Sequence, residues 1–194
     1  MKKYVAESFG TLVLSLAVLA SLIKSTGFPT ALVAGITLTL LVFMIGAVSG
    51  AHVNPAVTLG AYFMKKISRK EALMYILFQF IGALGAIIIV TFLGFKIPLL
   101  TSVFSFKALV AELLGTAIFV LGIASALHSS KENIFVPFVI GGSLSLGAII
   151  AGIGSNGVLN PAVGFAIGSF NLAYIVGPLL GAYVGVWLYK KICA

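Results

Sequence analysis

The residues best placed to do chemistry in this chain are two asparagines, each followed by proline and alanine. Asn54-Pro55-Ala56 sits in Gly50-Ala51-His52-Val53-Asn54-Pro55-Ala56-Val57. Asn160-Pro161-Ala162 sits in Asn156-Gly157-Val158-Leu159-Asn160-Pro161-Ala162-Val163. Asn is a strong N-cap because its side-chain carbonyl accepts from the orphan N–H groups of a first helical turn. Pro suits the first helical position, where the N–H it lacks would be unpaired. Ala is the best helix former and adds little bulk. Each tripeptide therefore predicts a helix start. With its carbonyl used for capping, each Asn keeps an amide NH₂ to donate elsewhere.

The surroundings of both motifs are apolar. Of 194 residues, 61% are hydrophobic and 8% charged, with a mean hydropathy of +1.22. That excludes an ordinary soluble domain and leaves length for several membrane spans. Six spans are predicted: Tyr4 to Ile23, Thr30 to Ser49, Glu71 to Leu93, Lys107 to Leu127, Phe135 to Ile153 and Leu172 to Tyr189. Each approaches the roughly 20 residues a bilayer requires. Two apolar pieces remain, Pro55 to Met64 and Pro161 to Phe170. About ten helical residues cover only about half the hydrocarbon thickness, and these are the pieces that the Asn-Pro-Ala signals start. Met1-Lys2-Lys3 before an apolar run has the look of a signal peptide, but Glu7 within the run and the spans that follow read as a retained first helix.

The two halves repeat. Ala6-Glu7-Ser8-Phe9-Gly10-Thr11 matches Ala111-Glu112-Leu113-Leu114-Gly115-Thr116 at an offset of 105, and the Asn-Pro-Ala pair follows at 106. The repeats are expected at about residues 1–100 and 101–194, together making one transmembrane domain over residues 1–194. Three spans per repeat is an odd number, so the second repeat must lie upside down. Paired interrupted segments in inverted repeats point to a substrate path. Nine of the twelve Lys and Arg residues (Lys2, Lys3, Lys65, Lys66, Arg69, Lys70, Lys131, Lys190 and Lys191) fall on the side of the termini; Lys24, Lys96 and Lys107 fall on the other. That asymmetry places both termini in the cytoplasm, with Tyr4, Trp187 and Tyr189 as an aromatic belt. Short loops and tails suggest a prokaryotic inner membrane.

Other chemistries find little support. The net charge of +8 has no basic-aromatic face beside it, so no nucleic-acid partner is expected. The lone Cys193 excludes an internal disulfide and offers no metal pattern. No nucleophile–base pair, metal-ligand cluster or phosphate loop argues for an enzyme or a cofactor.

Two half-length helices, each opened by Asn-Pro-Ala, within a six-span inverted repeat closely resemble the aquaporin and glycerol-channel family, the major intrinsic proteins. The resemblance covers essentially the whole chain. It rests also on the paired Ala-Glu-x-x-Gly-Thr, on His52-x-Asn54-Pro55-Ala56-Val57-Thr58, on Gln79 with Gly82-Ala83, and on Gly177-Pro178 with Gly181. It implies an all-α membrane protein, a right-handed six-helix bundle with two re-entrant half-helices. It further implies one pore per subunit, usually in a homotetramer within membrane lipids, and passive flux of water or small uncharged solutes.

Within that frame Asn54 and Asn160 would each offer a donor to a passing oxygen, and the two helix N-termini would oppose cations. Glu7 and Glu112 are intramembrane carboxylates, costly unless satisfied. They would serve either as a proton relay or, as their symmetric placement favours, as braces for the re-entrant loops. His52 is read as a loop partner, with pH gating as the alternative; His128 is placed in a solvated loop. Gly46-x-x-x-Gly50 and the run Gly177, Gly181, Gly185 are read as close helix contacts.

The family's selectivity constriction comes from four positions, which fall here on Ala34, Ala148, Gly157 and Val163. Nearly all members carry Arg directly after the second Asn-Pro-Ala; this chain has Val163, and its single arginine, Arg69, lies far off in an inner loop. A wide, apolar constriction without fixed charge favours glycerol- or urea-like solutes, with water as a co-permeant. Phe43, Phe165 and Phe28 are candidates to narrow the pore at another depth. Rival readings are a water-selective or an ammonia- or gas-conducting channel of the same fold, and a non-conducting membrane scaffold.

Overall fold

The computed structural model describes residues 1–24, 27–100, 103–128 and 134–193. Lys131, counted above toward orientation, and Glu132 lie outside the described residues. Among the described residues there are eight helices and no strand: α1 Lys2–Ile23, α2 Thr30–Ser49, α3 Pro55–Phe63, α4 Arg69–Phe92, α5 Phe106–His128, α6 Val136–Ala151, α7 Pro161–Ala166 and α8 Leu172–Ile192. Five of them, α1, α2, α4, α5 and α8, are long and apolar enough to cross a bilayer. The sixth expected span is shorter than its apolar run. Pro137 opens α6 and Gly152 closes it after 16 residues, about 24 Å at 1.5 Å per residue.

The long helices pack as two similar sets. Helix α1 lies against α2 and α4, and α5 lies against α6 and α8, with α2 and α6 joining the sets. Glycines make these crossings close. A Cβ on Gly82 of α4 would stand 2.1 Å from the Ser8 carbonyl oxygen of α1. In the other set, Gly177, Gly181 and Gly185 of α8 face the Leu109, Leu113 and Ala117 carbonyls of α5 at 2.8, 2.4 and 2.6 Å by the same measure. Backbone against backbone allows no side chain between, and dispersion contacts replace the hydrophobic drive that lipid does not supply. Gly46-x-x-x-Gly50 does not belong to this class. A Cβ on Gly46 would meet only Val42 of its own helix, at 3.5 Å, and Gly50 ends α2 in the left-handed region at φ 87°.

The short helices cross over between the sets. Helix α3 packs on α8 and α4, and α7 packs on α4 and α1. Ala56 of α3 is buried with Val120 of α5 and with Ala182 and Val186 of α8. Helix α7 covers six residues and ends at Ala166, not at Phe170. Gly168, at φ 79°, turns the chain there, and Asn171 already caps α8 by accepting from Ala173 N at 2.9 Å.

The glycine geometry generates a paired prediction. Gly82→Ala should force α1 and α4 apart and lower the stability of the detergent-solubilised protein by about 1–3 kcal/mol. Gly142→Ala, where nothing lies within 4 Å, should be neutral or stabilising by up to about 1 kcal/mol. Thermal unfolding of the two variants side by side checks both.

Candidate functional site

The two loops that precede α3 and α7 adopt one unusual backbone. In the first, Ala51 and Val53 have φ of 50° and 43°; in the second, Gly157 and Leu159 have 64° and 56°. A β-branched residue in the left-handed region is an outlier, costing on the order of 1–3 kcal/mol that the surroundings must offset. Alternating left-handed steps turn successive N–H groups toward one side, making a concavity for an anion.

A buried carboxylate fills each concavity. Glu7 Oε1 accepts from Ser49 Oγ at 2.7 Å and His52 N at 3.0 Å. Its Oε2 accepts from Val53 N at 2.7 Å and Gln79 Nε2 at 2.8 Å. Glu112 repeats the scheme with Ser155 Oγ at 2.7 Å, Val158 N at 2.9 Å and Leu159 N at 2.7 Å. Both glutamates have no exposed surface, and every one of these partners donates. These bonds satisfy the buried carboxylates and the N–H groups of the strained backbone together, each otherwise costly to leave unpaired.

A tyrosine closes each loop from behind. Tyr75 donates its hydroxyl to the Ser49 carbonyl at 2.8 Å, and the Tyr174 hydroxyl accepts from Asn156 N at 3.0 Å. Neither tyrosine, nor Ser49 and Ser155, was singled out from the sequence. One signal was there: Ser155 follows Ser49 by the same 106 positions that separate the asparagines.

Beyond the carboxylates the halves differ. Gln79 Nε2 also donates to Thr58 Oγ1 at 2.9 Å, and Thr58 Oγ1 donates to the Asn54 carbonyl at 3.0 Å. The His52 ring sits in this group, with Nδ1 3.3 Å from Thr58 Oγ1 and its centroid 5.1 Å from that of Tyr75. His128 is apart from it, exposed in the last turn of α5 with its ring 6.0 Å from Tyr189.

The asparagines meet where the loops meet. Each Oδ1 caps its own helix: Asn54 accepts from Ala56 N at 2.8 Å, and Asn160 from Ala162 N at 3.0 Å and Val163 N at 3.3 Å. The amides are not wholly free. Asn54 Nδ2 donates to the Leu159 carbonyl at 2.9 Å, and Asn160 Nδ2 to the Val53 carbonyl at 3.0 Å. One N–H of each amide thus crosses to the other half, and one remains.

Beside this junction lies a cavity of about 160 Å³. Ala34, Ala148, Gly157 and Val163 all line it, and it reaches Asn160. Leu14, Val18 and Leu144 add an apolar wall, while Thr30 and Asn156 add polar groups. Gly157 has no room for a side chain, because a Cβ would stand 2.4 Å from the Ala148 carbonyl oxygen. None of the three phenylalanines considered above lines the cavity. Phe43 packs on Phe138, Phe165 on Phe80 and Phe170, and Phe28 is 65% exposed.

The loop geometry predicts a graded response at Glu112. Glu112→Ala strands the N–H groups of Val158 and Leu159, while Ser155 Oγ keeps the Ala151 carbonyl, and should lower stability by at least about 2 kcal/mol. Glu112→Gln keeps one acceptor oxygen and should fall between the alanine variant and the parent. Thermal unfolding in detergent ranks the three; equal stability of parent and alanine variant would show that the loop holds its shape unaided.

Comparison with known proteins places this architecture. The family model described as Major intrinsic protein matches residues 1–189. Aquaporin Z of Photorhabdus laumondii is 28% identical over 229 aligned positions, covering all of this chain and 98% of that protein. The probable aquaporin NIP7-1 of Arabidopsis thaliana is 33% identical over 175, covering 84% of this chain. The chain spans 63% of that plant protein's length and 65% of that of aquaporin-1 of Pongo abelii. Among solved structures, the aquaglyceroporin of Plasmodium falciparum superposes with a TM-score of 0.70 at 25% identity, over 98% of this chain and 96% of its own. With two Asn-Pro-Ala half-helices joined tip to tip inside a bundle of this fold, the chain belongs to the major intrinsic protein family, whose members are channels and not enzymes.

Proposed function

We propose that this chain is a passive membrane channel for small uncharged solutes of glycerol or urea size, with water as a co-permeant. The observation that carries the reading is the cavity lined by Ala34, Ala148, Gly157 and Val163 and reaching Asn160. Its 160 Å³ is roughly ten times the ~15 Å³ that one water needs. Three of the four positions are Ala or Gly, so the opening is wide. The fourth is Val163, 4% exposed and uncharged, where a guanidinium would stand in nearly all relatives. Water loses hydrogen-bond partners at such a wall, while a larger and partly apolar solute loses less.

The remaining N–H of Asn54 and of Asn160 is the donor available to a passing oxygen, and the N-termini of α3 and α7 discourage cations. Glu7, Glu112 and His52 act in this reading as supports of the loops. The lysine and arginine asymmetry orients both termini to the cytoplasm, and subunits assemble as homotetramers, as the family resemblance implies.

Stopped-flow light scattering on proteoliposomes tests the reading. Glycerol, urea and water should each equilibrate faster than in protein-free vesicles; rates equal to those vesicles for all three would remove the channel assignment. Val163→Arg should narrow the range of permeants, reducing glycerol flux more than water flux. An unchanged glycerol-to-water ratio would show that position 163 is not at the constriction.

A further inference from the structure

Part of the cavity wall belongs neither to the helices nor to the loop before α7. The connection that follows α4 passes over the cavity and places Leu100 in its lining. That residue is tethered on both sides of its peptide unit. Leu100 N donates to the Ile167 carbonyl at 2.9 Å, which the early end of α7 leaves available. Its carbonyl accepts from Ser169 Oγ at 3.0 Å and Asn156 Nδ2 at 3.2 Å. Asn156 Nδ2 also reaches Ser169 Oγ at 2.8 Å, so the two latch residues hold each other. Leu99 seats the strap further. It packs on Gly168, where even a Cβ would come within 2.9 Å of Leu99 Cδ2.

This arrangement matters because three of the four constriction residues are small. Ala34, Ala148 and Gly157 leave the width of the cavity to whatever else projects into it. Leu14, Leu144 and Ile167 also line it, but they are 3%, 4% and 3% exposed and packed in the core, and Leu22 is carried by α1 itself. Leu100 is only partly buried, stands on a connection outside the helices and is fixed there by backbone hydrogen bonds. We propose that Leu100 is a specificity-determining residue of the pathway: a strap-borne fifth wall that supplies the bulk the four helix and loop positions lack. This rests on the reading of the cavity as the solute path.

The test compares the parent protein with Leu100→Ala, Leu100→Phe and Ile97→Ala in proteoliposomes, using water, urea, glycerol and xylitol. Ile97 is on the same strap and packs on the core without lining the cavity. Leu100→Ala should raise xylitol flux about tenfold, the discrimination that small differences of steric fit command, with urea flux unchanged. Leu100→Phe should depress glycerol flux while water flux persists, and Ile97→Ala should follow the parent. Size profiles for both Leu100 variants that superimpose on the parent's would overturn the inference while leaving the channel reading intact. Loss of all flux, water included, in both variants at parental protein content would make Leu100 a purely structural residue and overturn it equally. A parent that conducts none of the four solutes would instead remove the channel reading on which the inference stands.

Discussion

Everything at the centre of this molecule depends on a buried carboxylate accepting from consecutive backbone N–H groups. Helix-free backbone at membrane depth is admissible only when its polar groups are satisfied by protein or by water in a cavity. Glu7 and Glu112 meet that constraint for the loops at residues 50–54 and 156–160. They also hold Val53 and Leu159 in a conformation that neither residue would choose. With the N–H groups occupied, the Val53 and Leu159 carbonyls are left to receive the asparagine amides from across the junction. The crossing of the two asparagine amides completes that assignment of donors and acceptors.

The two halves solve the same problem with different side chains. The first adds Gln79, whose amide bridges Glu7 and Thr58, and places the His52 ring beside Tyr75. The second lets Asn156 reach out to Ser169 and to the strap at Leu100. The first loop is therefore bound inward, to its own helices. The second is bound outward, to the connection over the cavity. The cavity described above is lined by residues of the second loop and by none of the first.

Much of this was legible in the sequence where a residue's type states its backbone requirement. Asn followed by Pro announces a helix start, and α3 and α7 begin where that rule puts them. Apolar runs marked α1 to within two residues at its start, and the repeated Glu at an offset of 105 marked two equivalent buried acids. Legibility failed where type and conformation part company. Nothing about Ala51, Val53 or Leu159 signals a left-handed backbone, and the carboxylates that Val53 and Leu159 donate to lie 46 and 47 residues away in sequence. Gly46-x-x-x-Gly50 has the spacing of a helix contact, yet its second glycine is a turn. The end of α7 was overrun because apolar character continues past Ala166 while the backbone, at Gly168, does not. Tyr75 and Tyr174 act through single hydroxyls on distant loops, which no local pattern encodes.

The division of hydrogen bonds between and within halves also bears on how the protein is made. Each glutamate shapes the loop of its own half, so residues up to about the strap can set the first loop as soon as α1, α2 and α4 are in place. The Asn54 amide and the Val53 carbonyl are different, since their mates, Leu159 and Asn160, are translated more than a hundred residues later. Until then the Asn54 amide and the Val53 carbonyl lack the partners they have in the folded chain, and unpaired polar groups are costly in lipid. The second half supplies those partners, so the junction closes only when both halves are present.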